Sequence, residues 1–147
     1  VGHHLLGHMM QKELGSYVAP PHWSVNAYTV SEDEHNETVR KMHHEGVRFT
    51  SGLDMGMPTA PHDMSAANAW AFVDYLGWSN WKAIKATTAD TAEGIRLGHI
   101  IGRIKAGYVA DLAVFCGDPA DNIKDLMIAS SVVQRGSIIK IDNVSKV

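Results

Sequence analysis

Asp54 is the residue whose type and placing best suit chemistry. It follows a short run rich in β-branched and aromatic residues, 47–53, that begins just after Gly46. Such a run reads as a buried strand. It breaks at Gly52-Leu53-Asp54 into residues rich in Gly, Pro and Thr. Asp54 therefore sits where a strand ends and a loop to a helix begins, the edge of α/β folds that carries chemistry. A carboxylate there can ligate a metal or take a proton. The plainer alternative is an Asp that caps a turn, and spacing alone favours it. His22 stands at a similar edge, after Pro20-Pro21. With Trp23 it either lines a pocket or packs on a neighbouring helix, and the sequence does not choose.

The chain has nine histidines, His3, His4, His8, His22, His35, His43, His44, His62 and His99. Clustered histidines raise a metal hypothesis. No His-x-His or His-Glu-x-x-His occurs, and scattered surface histidines are the commoner explanation. His4 and His8 lie four apart and can face one way on a helix. That helix offers no third ligand. His43 and His44 are adjacent and read as surface residues.

The elements that must hold these groups follow from periodicity. Residues 1–14 read as a helix, with Leu5, Leu6, Met9, Met10 and Leu14 at three-to-four spacing. Residues 16–19 make a short strand closed by the prolines. Ser31 opens a capping box, and Gly46 ends the helix that follows. Residues 66–76 form an Ala-rich helix with Trp70, Val73 and Leu76 towards the core, capped by Asp63 or Ser65 and ended by Gly77. Ser79 or Asn80 opens another, and Thr88 caps a third over 89–97.

From His99 the texture changes. Residues 102–107 read as strand and turn, and 110–115 as a buried strand. Gly117-Asp118-Pro119 reads as a turn, and 131–134 with 138–141 as a hairpin around Arg135-Gly136. The reading is helices with parallel-type strands over 1–98, then a small antiparallel unit over 99–147.

Length and composition bound the class. At 147 residues, with 45% hydrophobic and 20% charged content, the chain suits one soluble globular domain. A net charge of −3 without a basic stripe argues against a nucleic-acid partner. No apolar run reaches membrane-spanning length. The single cysteine, Cys116, excludes an internal disulfide framework and favours a reducing, cytoplasmic setting. The chain starts at Val1, so a leader upstream stays open.

Two stretches together resemble the C-terminal part of the amidohydrolase superfamily. The first is Gly46-Val47-Arg48-Phe49-Thr50-Ser51-Gly52-Leu53-Asp54-Met55-Gly56, continuing to Pro61-His62. It is similar to the family's last barrel strand, Gly-Thr-Asp-Ala-Gly, and a later Pro-His. The second begins at Ala86-Thr87-Thr88-Ala89 and runs through Gly102-Arg103-Ile104-Lys105-Ala106-Gly107-Tyr108-Val109-Ala110-Asp111-Leu112 to Gly117-Asp118-Pro119 and Arg135-Gly136. It resembles the family's tail and is the more specific signal. The imidazolonepropionase-like and the aminoacyl-proline or aminoacyl-arginine dipeptidase-like members look most similar.

The resemblance implies an α/β fold: the end of a distorted (β/α) TIM-type barrel over 1–98, then strands of a small β-sandwich over 99–147. It implies hydrolysis of carbon–nitrogen bonds in amides, cyclic amides or dipeptides by metal-activated water. Asp54 matches the metal-binding and proton-carrying aspartate, and His62 the loop histidine that touches substrate. Asp111 matches too, in a structural role such as a backbone hydrogen bond. The implied cofactor is a divalent ion, zinc above others, with its remaining ligands outside these residues. Leu53 and Met55 depart from the family's usual Thr and Ala. The alternative is a non-catalytic scaffold or interaction module without a metal site; a weaker one is a histidine-rich metal-binding domain. The implied partner is a small-molecule substrate, with no nucleic acid or membrane. Exposed barrel edges imply self-association.

Overall fold

The computed structural model describes residues 32–52, 62, 65–142 and 144–145. The expected helix over 1–14, the strand over 16–19, the Ser31 cap, His3, His4, His8, His22, Asp54 and Asp63 lie outside the described residues.

Helix α1 spans Glu32–His44 and carries Lys41, His43 and His44 in its last turn, where cations suit the negative end of the helix dipole. Gly46 follows at φ 82°, a left-handed conformation that glycine adopts without steric cost. Helix α2, Ala67–Leu76, ends at Gly77 with φ 64°, whose N–H bonds back to the last turn. At its other end the expected Ser65 cap is not made: Ala66 stands at the cap position without a side-chain hydrogen bond. Helix α3, Asn80–Lys85, starts as the sequence implies, with the Ser79 hydroxyl accepting from the Lys82 N–H.

The Thr88 cap does not form. Helix α3 runs on through a π-helical turn, Ala86–Asp90, into α4, Thr91–Gly94. The Thr88 hydroxyl donates to the Ile84 carbonyl at 2.7 Å instead of opening a new helix. Side-chain bonds to the preceding turn make Thr compatible with a helix interior. The Thr91 hydroxyl reaches five residues back, to the Ala86 carbonyl at 2.6 Å. One extra residue per turn is the mark of a π-bulge.

The strand expected from residue 47 is not formed over 47–52, which join no ladder among the described residues. Val47 is exposed and Phe49 half-buried, so the run is not the buried strand that its composition suggests. It lies against α4 instead. A Cβ on Gly94 would stand 3.0 Å from Thr50 Cγ2, so a glycine here allows close approach. Glu93 pairs with Arg103 at 2.7 Å and approaches Arg48 at 3.9 Å, linking this run, the helix and the following loop.

Residues 102–107 form bends and a turn rather than a strand. Gly102, at φ 85°, passes so close to the π-helical turn and α4 that a Cβ would meet the Thr88 carbonyl oxygen at 3.0 Å and Ala92 Cβ at 2.7 Å. That contact explains the glycine at the head of the tail motif.

The C-terminal sheet has four strands in the order β1-β2-β3-β4, all antiparallel. They are Leu112–Phe115, Ala129–Gln134, Ser137–Ile141 and Val144–Ser145. No parallel pair occurs among the described residues. β1 is half-exposed rather than buried, with Val114 open to solvent. The β2–β3 turn has Arg135 at φ 49° and Gly136 at φ 82°, the two positive values of a type I′ hairpin. Asp111 fixes this turn: its Oδ1 accepts from the Arg135 N–H at 2.7 Å, and Gly136 N–H donates to the Ala110 carbonyl. The structural role expected for Asp111 is therefore the one it plays. Asp118 closes the Gly-Asp-Pro turn by accepting from the Ala120 N–H.

The core holds Trp70, Phe72, Trp78 and Ile123 among small residues, Ala67, Ala69, Ala71, Ala83 and Ala86. Ile123 comes from a 3-10 turn, Ile123–Met127, which the sequence reading did not anticipate. Alanines let the helices approach closely, and the few large rings fill what is left. Among the described residues no helix is long and apolar enough to cross a membrane.

Candidate functional site

Of the residues singled out for chemistry, His62 alone is described, and it is exposed. Asp54 and His22 lie outside the described residues. The residues leading towards Asp54, 47–52, are held by hydrogen bonds at Val47 and at Ser51.

Ser51 is the centre of that hold. Its N–H donates to Thr91 Oγ1 at 2.8 Å, and its Oγ accepts from Asn68 Nδ2 at 2.8 Å. Thr91 in turn donates to the Ala86 carbonyl. The π-bulge and the first turn of α2 thus converge on one residue, three positions before Asp54. Asn68 is 1% exposed, and its buried Oδ1 has no hydrogen-bond partner among the described residues. A buried polar atom left unpaired costs about 1–3 kcal/mol. The sequence does carry a signal for Asn68, a lone amide in the apolar run Ala-Asn-Ala-Trp-Ala-Phe. Ser51 and Thr91 carry none, because only the tertiary fold brings them together.

A second cluster surrounds His43, which is half-buried rather than the surface residue expected. Trp78 Nε1 donates to His43 Nε2 at 2.9 Å, so that nitrogen bears no proton. Lys82 Nζ stands 3.2 Å from the same nitrogen and 4.2 Å from the centre of the Trp78 ring. Phe49 meets both the His43 and the Trp78 ring edge-on. Burial first, then the charge on Lys82, then His44, hold the His43 pKa below its ordinary 6.5.

The sign of the linkage follows. The unfolded chain takes up the proton more readily, so the contribution of neutral His43 to stability is present above about pH 6.5. It is lost as pH falls through the folded-state pKa. The urea midpoint is expected to fall between about pH 7.5 and pH 5. His43→Phe should flatten that part of the profile, and a wild-type slope unchanged by the substitution would contradict the assignment.

A metal tests poorly against the described residues. Among them, no group of three or more His, Cys, Asp or Glu side chains is placed to hold an ion. The described part does not fit a metal by itself.

Comparison with known proteins gives the frame for these observations. The model of the amidohydrolase family matches residues 21–136. A search of curated proteins finds no match. Among solved structures, a Xaa-Pro dipeptidase with bound methionine matches with a TM-score of 0.73 at 22% identity, over 93% of this chain and 33% of its own. A prolidase complexed with N-methylphosphonate-L-proline gives 0.74 at 23% identity, over 93% and 34%. The ochratoxinase of A. niger gives 0.70 at 22% identity, over 95% and 32%. At these identities the likeness shows the fold, and the chain spans about a third of each of these structures. With the family model spanning most of its length, the chain belongs to the amidohydrolase family.

Proposed function

We propose that the protein carrying this chain hydrolyses carbon–nitrogen bonds with the help of a divalent metal ion, and that amides of dipeptide type are its substrates. The family match carries the reading, since residues 21–136 include His22, Asp54 and His62. The dipeptidase and prolidase among the structural matches support the dipeptide class. In this reading residues 1–98 close a (β/α) barrel, and 99–147 belong to a β-sandwich. Exposure of Val114, Ile128 and Val144 supports a sheet that takes a further layer.

A zinc-like ion, once bound, would provide an activated water and polarisation of the scissile carbonyl. Asp54 is the ligand this chain provides, and the others come from outside the described residues. Its carboxylate also takes a proton on the attacking side and returns it to the leaving nitrogen. His62, which is exposed, contacts the substrate, and His22 lines the same pocket. The partner is a small molecule, not nucleic acid, and open strand edges bring copies of the chain together.

The test is an assay of the full-length protein against Xaa-Pro dipeptides, a cyclic amide and N-acyl amino acids. Turnover is expected for the dipeptides, lost on chelation and restored by zinc. No turnover across that panel and no bound metal would leave the non-catalytic module.

A further inference from the structure

We propose that Ser51, Asn68 and Thr91 are positioning residues for Asp54, an inference that rests on the hydrolase reading above. Ser51 is gripped at two points. Its backbone N–H is bound by Thr91 Oγ1 at 2.8 Å, and its hydroxyl by Asn68 Nδ2 at 2.8 Å. The two grips come from different elements. Asn68 stands on the first turn of α2, and Thr91 opens α4 directly after the π-helical turn. Two bonds from separate directions fix both the place and the twist of the chain as it leaves 47–52. Asp54 follows three residues on in the sequence.

Asn68 makes the case for function over stability. It sits in an alanine-lined core, 1% exposed, with its Oδ1 unpaired among the described residues. An apolar side chain of similar size would suit that core better. What only a side-chain donor provides at this position is the bond to Ser51. Thr91 is costly in a similar way. The local helix is underwound into a π-turn, and the Thr91 hydroxyl is used both as donor to Ala86 and as acceptor from Ser51. Such irregular turns recur at functional sites.

The experiment compares Asn68→Leu, Ser51→Ala and Ser51→Thr in the full-length protein. Three quantities are read: thermal midpoint, amide hydrogen exchange over residues 50–56, and kcat and KM for a Xaa-Pro dipeptide. For Asn68→Leu the midpoint is expected to hold or rise, while exchange over 50–56 speeds up by at least about tenfold. In Asn68→Leu and Ser51→Ala, kcat should fall ~10- to 100-fold with KM within about threefold, the usual cost of losing an outer partner of a site. Ser51→Thr keeps the hydroxyl and should restore both exchange and kcat.

Unchanged exchange in Asn68→Leu and Ser51→Ala overturns the proposal, whatever the activity. So does faster exchange with kcat intact. Faster exchange in a wild-type background that hydrolyses nothing and binds no metal keeps the tether and removes the hydrolase reading. If Asn68→Leu does not fold, the Ser51→Ala and Ser51→Thr pair decides alone.

Discussion

Asp54→Asn in the full-length protein is expected to lower kcat for dipeptide hydrolysis by ~10²- to 10⁴-fold, the range attributed to a positioned acid–base group. KM should change little. The substitution keeps size and shape and removes the group's basicity and charge. It also separates the two readings of Asp54 that the sequence leaves open. Asn and Asp are nearly equal as caps of turns and helix starts. A residue that merely capped a turn would tolerate the change, with kcat and folding both close to wild type. A carboxylate that carries a proton would not. The acidic limb of the kcat/KM profile, which reports that carboxylate in the free enzyme, should disappear with it. Wild-type turnover in Asp54→Asn would remove the residue from the reaction and the proposed mechanism with it. His62→Ala serves as the contrast: a substrate contact should raise KM more than it lowers kcat.

The contrast between Asp111 and Asn68 indicates what was legible in the sequence. Asp111 works locally in the fold's own terms. It stands at the start of β1 and binds the Arg135 N–H of a hairpin that Arg135-Gly136 already announces. Gly77 and Ser79 are similar, since helix ends are fixed by backbone conformation and one short side chain. Asn68, Ser51 and Thr91 meet only through tertiary packing, and no spacing rule joins positions 17 and 40 residues apart.

Thr88 shows the opposite failure. Its cap propensity is real, but a hydroxyl can bond back into the turn before it as readily as forward. Residues 47–52 expose another limit. β-branched and aromatic content favours a strand, yet pairing and burial depend on neighbours that the run does not contain. His43 was misread because adjacency to His44 says nothing about Trp78, 35 residues away. As for the site, the motif around Asp54 and the more specific tail motif together led to the family, while the geometry that holds the approach to Asp54 came only from the fold.

Phe72→Ala is expected to destabilise the protein by about 3–5 kcal/mol, the usual cost of emptying a buried aromatic site. Phe72 is 2% exposed and sits in a core whose other buried members are mostly alanine. Alanines cannot rotate or lengthen to refill a space, so the cavity should stay largely open. The loss also spreads. Phe72 packs against the Trp78 ring with centroids 4.8 Å apart, and Trp78 in turn holds Phe49 and His43. Through that chain of rings α2 supports both α1 and the run leading to Asp54. Whole domains are stable by only about 5–15 kcal/mol, so this one change approaches the total. Trp81→Ala is the matched control. Trp81 is 68% exposed, and its removal should cost no more than about 0.5 kcal/mol despite the larger side chain. Urea midpoints at constant slope measure both. Equal losses in the two variants would show that ring size, rather than enclosure by the alanine-lined core, sets the stability of the helical half.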